Sequence, residues 1–404
     1  MNEPKLRFKA DDGSQFPDWE EKKLGDITEK VVRKDANSNA DVRMISQGNG
    51  FILQSDKYSR ENAGQSLKKY TLLKRDEFAY NHGASKVKPY GVCYRLCESD
   101  EARVPYVYHT FKLIDGDSGF WNYSLNTSCM DRQLKKMVSS GARMDGLLNI
   151  GYDAYMSVDI HVPSLPEQQK IADFLSTIDT VIEKQKETVS AWEERKKGVM
   201  QKLFSQEVRL KADDGSEFPE WEEKKLGEVM SVKDVKQIPT EEAPLMAFIA
   251  YQGVAEKGDR YDRSFLVKSD DKKYKRTDFN DFIYSSNNLD VGSIGLNKYG
   301  SAVISVVYEI FTFKDGFNPD CMNLLIQQPR IMSSIIRYRQ GCLYGQYKIH
   351  SRDFLNVLIS VPCLAEQQKI ADCLLSLDDV IEKQKATLAA WEEMKKGLLQ
   401  QMFV

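Results

Sequence analysis

Parts of this chain are rich in the kinds of side chain that contact nucleic acids. Residues 43–95 carry ten Lys and Arg against four Asp and Glu, residues 257–276 carry eight against four, and residues 329–352 carry five against none. Polar loops accompany them at residues 81–88 (NHGASKVK) and 285–290 (SSNNLD). Lys and Arg pair with phosphates, while Asn, Ser and His hydrogen-bond to base edges. Such local basic patches are what phosphate contact requires, although the net charge of the whole chain is −3.

The candidate contacts are mainly the basic, amide and hydroxyl side chains of these patches and loops. The full set is Arg43, Gln47, Lys57, Arg60, Lys68, Lys69, Asn81, His82, Lys86, Lys88, Arg143, Lys268, Lys272, Lys273, Lys275, Arg276, Ser285, Asn287, Asn288, Tyr347 and Lys348. Two other interpretations stay open. A basic patch can be an ordinary solvated surface, and clusters of Asn, Ser and Gly also form turns.

Motifs for catalysis are missing from the sequence. It has no GxxxxGK[ST] phosphate loop and no GxGxxG before a helix. Amino-methyltransferases hold a flipped base with an Asn/Asp-Pro-Pro-aromatic tetrapeptide, which Asn318-Pro319-Asp320 does not match. The seven cysteines form no CxxC pair and the four histidines are dispersed, so we expect reduced thiols and no zinc site. We therefore expect no catalysis and no cofactor in this chain.

The composition is that of an ordinary globular protein. The chain has 404 residues, of which 41% are hydrophobic and 29% charged, enough for two or three domains with their own cores. No apolar run approaches the ~18 residues of a membrane span, and the first residues lack the apolar core of a signal peptide. We expect a cytoplasmic protein with no membrane partner.

The sequence repeats itself around the polar stretches. KADDGSQFPDWEEKKLG at residues 9–25 returns as KADDGSEFPEWEEKKLG at 211–227, and EQQKIADFL at 167–175 returns as EQQKIADCL at 366–374. The stretches between these repeated blocks barely resemble each other. Near-identical supports with divergent inserts predict one scaffold that carries two different binding surfaces.

A long helix is predicted after each EQQKIAD start. Proline precedes each block, at Pro163 and Pro166 and at Pro362, and a helix over residues 167–204 would be about 57 Å long. Mostly apolar residues recur every seven positions along both helices, which predicts a coiled-coil seam. The predicted seam residues are Ile171, Ile178, Gln185, Trp192, Val199, Ile370, Leu377, Gln384, Trp391 and Leu398.

Gln185 and Gln384 interrupt the apolar seam at the same place in both copies. They either pair with each other and fix the register, or point to solvent at the edge of the seam. The order of the segments adds a constraint. If the two helices pair within one chain, the second helix must run back towards the first insert. We therefore expect an antiparallel pair with one insert domain at each end, related by a pseudo-twofold internal repeat.

Both inserts read as mixed α/β domains with many short strands. The first contains FILQS, EFAYN and VCYRL, and the second contains MAFIAYQ, DFIYSS and NVLISVP, which alternate apolar and polar residues or are β-branched and aromatic. Phe78 and Tyr80 recur at matching spacing as Phe282 and Tyr284, and we predict that all four lie in a core.

The predicted fold class is α+β, with two mixed α/β domains separated by two long antiparallel coiled-coil helices. The predicted segments are, in order, an N-terminal repeat segment (1–27), a first insert domain (28–163), a first long helix (164–206), a second copy of the N-terminal segment (207–230), a second insert domain (231–362) and a second long helix (363–404).

The order of insert, PSLPEQQKIADFL helix, insert and PCLAEQQKIADCL helix resembles the specificity (S) subunit of Type I restriction–modification systems. The Glu-Gln-Gln-Lys-Ile helix start, present twice, carries the resemblance, which covers essentially all of the chain. It implies that the inserts are target recognition domains, each reading one half of a bipartite, asymmetric site in double-stranded DNA. The long helices would hold these domains apart and dock two modification (methyltransferase) subunits.

The same resemblance implies partners with the chemistry that this chain lacks. The modification subunits would bind S-adenosylmethionine and methylate adenine N6. Restriction subunits, which use ATP and magnesium, would join that complex, and the chain itself would be non-catalytic.

Two other functions stay open on the residues alone. One is a coiled-coil scaffold with two globular heads that bind proteins and read no DNA. The other is a single chain with methyltransferase activity of its own, which the missing motifs disfavour. Salt-dependent, sequence-selective binding to duplex DNA, measured with the methyltransferase partner, separates a specificity subunit from a scaffold.

Overall fold

The computed structural model describes residues 4–34, 38–57, 64–83, 88–138, 148, 150–256, 272–287, 289, 292–341 and 347–403. The chain forms two compact units. The first consists of Met1–Thr188 with Gln384–Val404, and the second consists of Val189–Lys383. Each long helix therefore contributes one part to each unit.

The first unit is built around a four-stranded antiparallel sheet. Its strands lie in the order Thr28–Lys30, His109–Leu113, Phe78–Asn81 and Val92–Arg95. Three strand pairs accompany it, which are Glu20–Lys23 with Asp159–Val162, Arg43–Ser46 with Gly50–Leu53, and Thr71–Lys74 with Glu101–Val104. The short helices are Leu24–Ile27, Gln54–Lys57, Gly64–Lys69, Ser118–Ser124, Ser128–Met137 and Tyr152–Met156.

The second unit repeats this topology. Its four-stranded sheet has the order Met230–Val232, Glu309–Phe313, Phe282–Tyr284 and Ile294–Leu296. The other strands form a three-stranded sheet of Lys236–Gln237, Tyr274–Thr277 and Ala302–Ile304, and the pairs Glu222–Lys225 with Leu358–Val361, Ala247–Ile249 with Gly253–Ala255, and Gln340–Gly341 with Tyr347–Lys348. The short helices are Leu226–Val229, Pro319–Ile326, Pro329–Ile336 and Ser351–Leu355.

Aromatic rings fill the core behind each four-stranded sheet. In the first unit Tyr80 stacks on Tyr155 with ring centroids 4.0 Å apart. In the second, Tyr284 packs against Phe354 at 4.7 Å. The predicted core residues are confirmed as buried, and they are Phe78, Tyr80, Phe282 and Tyr284.

The long helices span Leu165–Phe204 and Leu364–Met402. Each begins two residues before the Glu of its EQQK block, so Pro166 stands inside the first turn, where its missing N–H costs no hydrogen bond. Within the first unit the helices run antiparallel. Asp179 of the first helix pairs with Lys395 of the second, whereas Gln185, further along the first helix, pairs with Gln384, which comes earlier in the second.

Gln185 and Gln384 are the clearest of these contacts. Gln185 Nε2 donates to Gln384 Oε1 at 2.7 Å and to the main-chain oxygen of Gln384 at 3.0 Å. Of the two alternatives for these residues, the structure has the paired one. A hydrogen-bonded polar pair in an apolar seam favours one register over its neighbours.

The second unit holds the remaining parts of the helices in the same antiparallel order. Lys196 Nζ lies 2.5 Å from Asp378, and Leu203 shares a buried apolar cluster with Ile370. Of the predicted seam residues, the buried ones are Ile171, Ile178 and Ile370. The half-buried ones are Gln185, Trp192, Val199, Leu377, Gln384, Trp391 and Leu398.

A buried carboxylate at the start of the first long helix holds the repeated N-terminal segment. Glu167 accepts hydrogen bonds from Arg7 Nε at 3.0 Å, from Arg7 Nη2 at 2.8 Å and from Trp19 Nε1 at 3.1 Å. Arg7 Nη2 also donates to the main-chain oxygens of Phe16 and Pro17, at 3.3 and 2.7 Å. A buried charge is tolerated only when it is paired and hydrogen-bonded. This cluster therefore ties the segment to the helix.

The second long helix repeats the cluster with different residue numbers. Glu366 accepts from Arg209 Nε at 3.2 Å, from Arg209 Nη2 at 2.9 Å and from Trp221 Nε1 at 3.1 Å. The repeated blocks are visible in the sequence, but this role was not predicted. The signal that could have shown it is the return of Arg7 and Trp19 as Arg209 and Trp221.

The glutamine after each buried carboxylate holds the insert domain. Gln168 Oε1 accepts a hydrogen bond from the main-chain nitrogen of Asp117 at 2.9 Å, and Gln367 Oε1 accepts one from that of Asn318 at 2.7 Å. Asp117 and Asn318 cap the short helices that follow them. The first two residues of EQQK thus fix the repeated segment and the insert to the same helical turn.

Removing one glutamine of the seam pair should cost more stability than removing both. Gln185→Leu leaves the Gln384 amide without its partner and should lower the free energy of unfolding by about 1 kcal/mol. Gln185→Leu combined with Gln384→Leu should recover most of that loss, because neither amide is then left unpaired. Urea unfolding followed by circular dichroism measures both variants. Additive losses would show that the two side chains are not coupled.

Glu366→Ala should release the second repeated segment, because it leaves the Arg209 guanidinium without its buried partner. Breaking a buried pair costs about 3 kcal/mol or more, and hydrogen exchange at residues 211–227 should speed up accordingly. Glu220→Ala is the matched control, since Glu220 pairs with the same arginine at 3.2 Å but is 90% exposed and should change stability by less than about 1 kcal/mol. Equal effects of the two substitutions would contradict the role assigned to Glu366.

Candidate nucleic-acid interface

His82 directly follows strand Phe78–Asn81, and main-chain oxygens of its own domain hold its ring. His82 Nδ1 lies 2.9 Å from the main-chain oxygen of Leu148, and Nε2 lies 3.0 Å from that of Val107. The His82 ring also stacks against His109 at 5.0 Å. Burial holds the pKa of His109 below its ordinary value, because the imidazolium is poorly solvated there. Both ring nitrogens of His82, a predicted contact, therefore lie within hydrogen-bonding distance of the protein's own main chain.

Ser286 has the corresponding place in the second unit, after strand Phe282–Tyr284. Its Oγ accepts a hydrogen bond from the main-chain nitrogen of Ile349 at 3.0 Å. This bond joins the loop that carries Asn287 to the strand that ends at Lys348. Both side chains are exposed, so the structure brings these two predicted contacts into one region of the surface.

Two predicted contacts of the second unit are buried. Lys275 is 7% exposed, and its Nζ lies 3.1 Å from Glu309 and 3.6 Å from Asp234. Ser285 is 4% exposed. In this conformation neither side chain presents a surface to a phosphate or a base, and Lys275 instead neutralises carboxylates of its own domain.

Arg276 belongs to a cluster of fixed charges. It pairs with Asp278 at 3.0 Å. Burial alone would raise the pKa of Asp278, but hydrogen bonds from Arg276, Lys233 and Ser301 outweigh it and hold that pKa well below its usual value. These contacts bind strand Tyr274–Thr277 to its neighbours, which accounts for Arg276 without any ligand.

Arg43 and Lys88 of the first unit are also engaged with the protein. Arg43 Nη1 lies 3.4 Å from the main-chain oxygen of Phe51, and Nη2 lies 3.7 Å from Asp41. Lys88 Nζ donates to the main-chain oxygen of Asn126 at 3.2 Å. These cations have less freedom to reach a phosphate than the exposed lysines have.

The remaining described candidates lie at the surface or half-buried. Asn81 and Gln47 are half-buried, and Asn81 Oδ1 accepts a hydrogen bond from the main-chain nitrogen of Gly83 at 3.0 Å. The exposed candidates are Lys57, Lys68, Lys69, Lys272, Lys273, Asn287 and Lys348. The lysines among them supply cationic side chains on both units.

Some predicted contacts lie outside the described residues, and they are Arg60, Lys86, Arg143, Lys268 and Asn288. Tyr347 is described only in its main chain, which forms a strand pair with Gln340–Gly341. Tyr251, an aromatic residue near the second loop, was not among the predicted contacts, although it is 85% exposed.

Other kinds of site receive no support from the described part of the chain. Its His, Cys, Asp and Glu residues form no group of three that could hold a metal ion. The six cysteines described there are free thiols. None of the helices described combines the length and apolar character needed to cross a membrane.

Comparison with known proteins finds a similarity to a DNA specificity domain in the second half of the chain. Residues 219–390 match the family described as Type I restriction modification DNA specificity domain. The Type I restriction enzyme MjaVIII specificity subunit of Methanocaldococcus jannaschii is 24% identical over 315 residues, which are 71% of this chain and 69% of that protein. The putative type I restriction enzyme MjaX specificity subunit of the same organism is 27% identical over 251 residues, 59% of this chain and 57% of that protein.

Solved structures share the fold. The S subunit of a Type I restriction–modification system from M. genitalium is 14% identical with a TM-score of 0.54, covering 100% of this chain and 99% of that one. A chain from a structure that addresses complex assembly and conformational transition of the type I R–M system is 15% identical with a TM-score of 0.55, covering 96% and 98%. The predicted α+β class, with two mixed domains and long antiparallel helices, is confirmed. Residues 219–390 are thus similar to the Type I restriction modification DNA specificity domain, and the predicted resemblance of the chain to the specificity subunits of these systems is confirmed.

Proposed function

We propose that each insert domain reads one half of a bipartite, asymmetric site in double-stranded DNA. The observation that carries the proposal is a repetition with one difference. Both units have the same order of strands in the four-stranded sheet, and in both a buried glutamate at the start of a long helix binds an arginine of the repeated segment. The loops after the equivalent strands, however, carry different side chains. His82 follows the third strand of the first sheet, which ends at Asn81, and Ser285 to Asn287 follow its counterpart in the second sheet. Two copies of one fold with unlike loops can read two unlike half-sites independently.

Exposed lysines would supply the sequence-independent part of binding. Lys68 and Lys69 in the first unit, and Lys272 and Lys273 in the second, are exposed at their surfaces. Each lysine that neutralises a phosphate releases condensed counterions and makes the affinity depend on salt. The buried Lys275 is not part of this proposed set.

The long helices would set the length of the unread spacer between the half-sites. A helix of 40 residues, such as Leu165–Phe204, is about 60 Å long, and B-DNA rises ~3.4 Å per base pair. The paired Gln185 and Gln384 add to the preference of the apolar seam for one register, and one register would give a constant spacer.

The proposed partners, apart from DNA, are two modification (methyltransferase) subunits and restriction subunits. Two equivalent helix starts in one chain suit two copies of the same partner. S-adenosylmethionine would belong to the modification subunits, and ATP and magnesium to the restriction subunits. This chain would contribute recognition and position but no reacting group.

Exchange of one insert should change one half of the modified site. Replacing residues 26–164 with the first insert of a homologous chain should alter one half-site and leave the other intact, because each domain would read alone. Mapping N6-methyladenine across the genome of cells that express the chain with its modification subunit measures this. Reciprocal exchange of residues 228–362 is the control and should alter only the other half.

Changes in both halves, or in neither, would contradict independent reading. A chain with no sequence-selective, salt-dependent binding to DNA in the complex would instead be the interaction scaffold. These outcomes separate the proposed function from its alternative.

Deleting one heptad from both long helices should shorten the spacer or abolish modification. Removing residues 182–188 and 381–387 takes the glutamine pair out of both helices and shortens each by about 10 Å, which corresponds to about three base pairs. The double variant Gln185→Leu with Gln384→Leu is the control, since it loses the same pair but keeps the helix length and should keep the spacer. An unchanged spacer after the deletion would rule out the spacing role.

A further inference from the structure

The second unit carries an exposed tyrosine in a backbone conformation that bulky side chains avoid. Tyr251 lies in the three-residue turn between strands Ala247–Ile249 and Gly253–Ala255. Its φ is +62°, in the left-handed region that favours glycine and that is strained for a large side chain. The side chain is 85% exposed, so burial of the ring does not offset this strain.

The corresponding turn of the first unit uses glycine. Gly48 has the place of Tyr251 between strands Arg43–Ser46 and Gly50–Leu53, with a φ of +86°. Glycine adopts this conformation at no steric cost. The turn itself therefore does not require an aromatic residue, and the tyrosine of the second unit needs another explanation.

The ring of Tyr251 is held beside the candidate interface. Its main-chain nitrogen donates to the main-chain oxygen of Gly292 at 3.1 Å. The ring lies so close to Gly292 that a Cβ atom at this glycine would stand 2.3 Å from Cε1 of the tyrosine. Gly292 follows the loop that carries the exposed Asn287. One side of the ring is thus supported, while most of its surface faces solvent.

A supported aromatic ring on a surface of this kind can pack against nucleobases. Aromatic side chains stack on bases with little dependence on sequence, and some enter a base step as an apolar wedge. A strained, exposed residue that the core does not need is typical of a functional position.

We infer that Tyr251 contacts DNA in the half-site read by the second insert domain, with its ring packed against a base. This inference rests on the proposed DNA reading. It adds an aromatic contact for which the first unit has no counterpart, because Gly48 has no side chain. The two half-sites would therefore be held by different means, although the two domains share one fold.

The test uses the full chain assembled with its modification subunits and a duplex that carries the mapped site. Tyr251→Gly removes the ring and relieves the backbone strain, so thermal stability should stay equal or rise. Affinity for the duplex should fall about tenfold or more. Tyr251→Phe keeps the ring and should bind within about threefold of the original chain.

Tyr299→Ala is the matched control, since Tyr299 is another exposed tyrosine of the second unit and should leave the affinity unchanged. If Tyr251→Gly binds the duplex as tightly as the original chain does, the inference is wrong while the proposed function stands. If the original chain shows no site-selective binding, the proposed function itself fails. Loss of the modification subunits from the Tyr251→Gly complex in the absence of DNA would overturn the inference by assigning the ring to a protein contact.

Discussion

The buried carboxylate at the start of each long helix is the interaction on which the rest of each unit depends. Glu167 and Glu366 are withdrawn from water, and their arginine and tryptophan donors replace the hydrogen bonds that water would otherwise make. These donors come from the repeated segment about 150 residues earlier in the sequence. Each buried carboxylate therefore fixes the path of a repeated segment that is distant from it in the sequence. The glutamine beside it then places the insert domain on the same turn. The inserts can diverge while this turn remains the same.

Much of the architecture could be predicted because it follows from periodicity and repetition. Heptad spacing indicated the helices, connectivity indicated their antiparallel order, and matching spacing indicated that Tyr80 and Tyr284 lie in the core. The glutamine pair was left open, since a polar residue in a seam has two reasonable environments. Its partner became known only from the contact between Gln185 and Gln384.

The surface could be predicted far less well, because residue type does not reveal which face of a short strand a side chain occupies. Lys275 counts as basic in the sequence, yet strand pairing places it among carboxylates. His82 looks like a base-reading residue, yet both ring nitrogens lie within hydrogen-bonding distance of main-chain oxygens of its own domain. Tyr251 gave no signal, because backbone strain is a property of the folded turn and not of the sequence.

The division of each long helix between two units also governs the order in which the protein can fold during synthesis. The second unit is one continuous stretch, Val189–Lys383, whose contacts can form as soon as it has left the ribosome. The first unit must wait for residues translated later, since Leu6 bonds to the main-chain oxygen of Gln401 and Phe120 packs on Phe403 at 5.4 Å. The half of the molecule that is made first is therefore the half that is finished last.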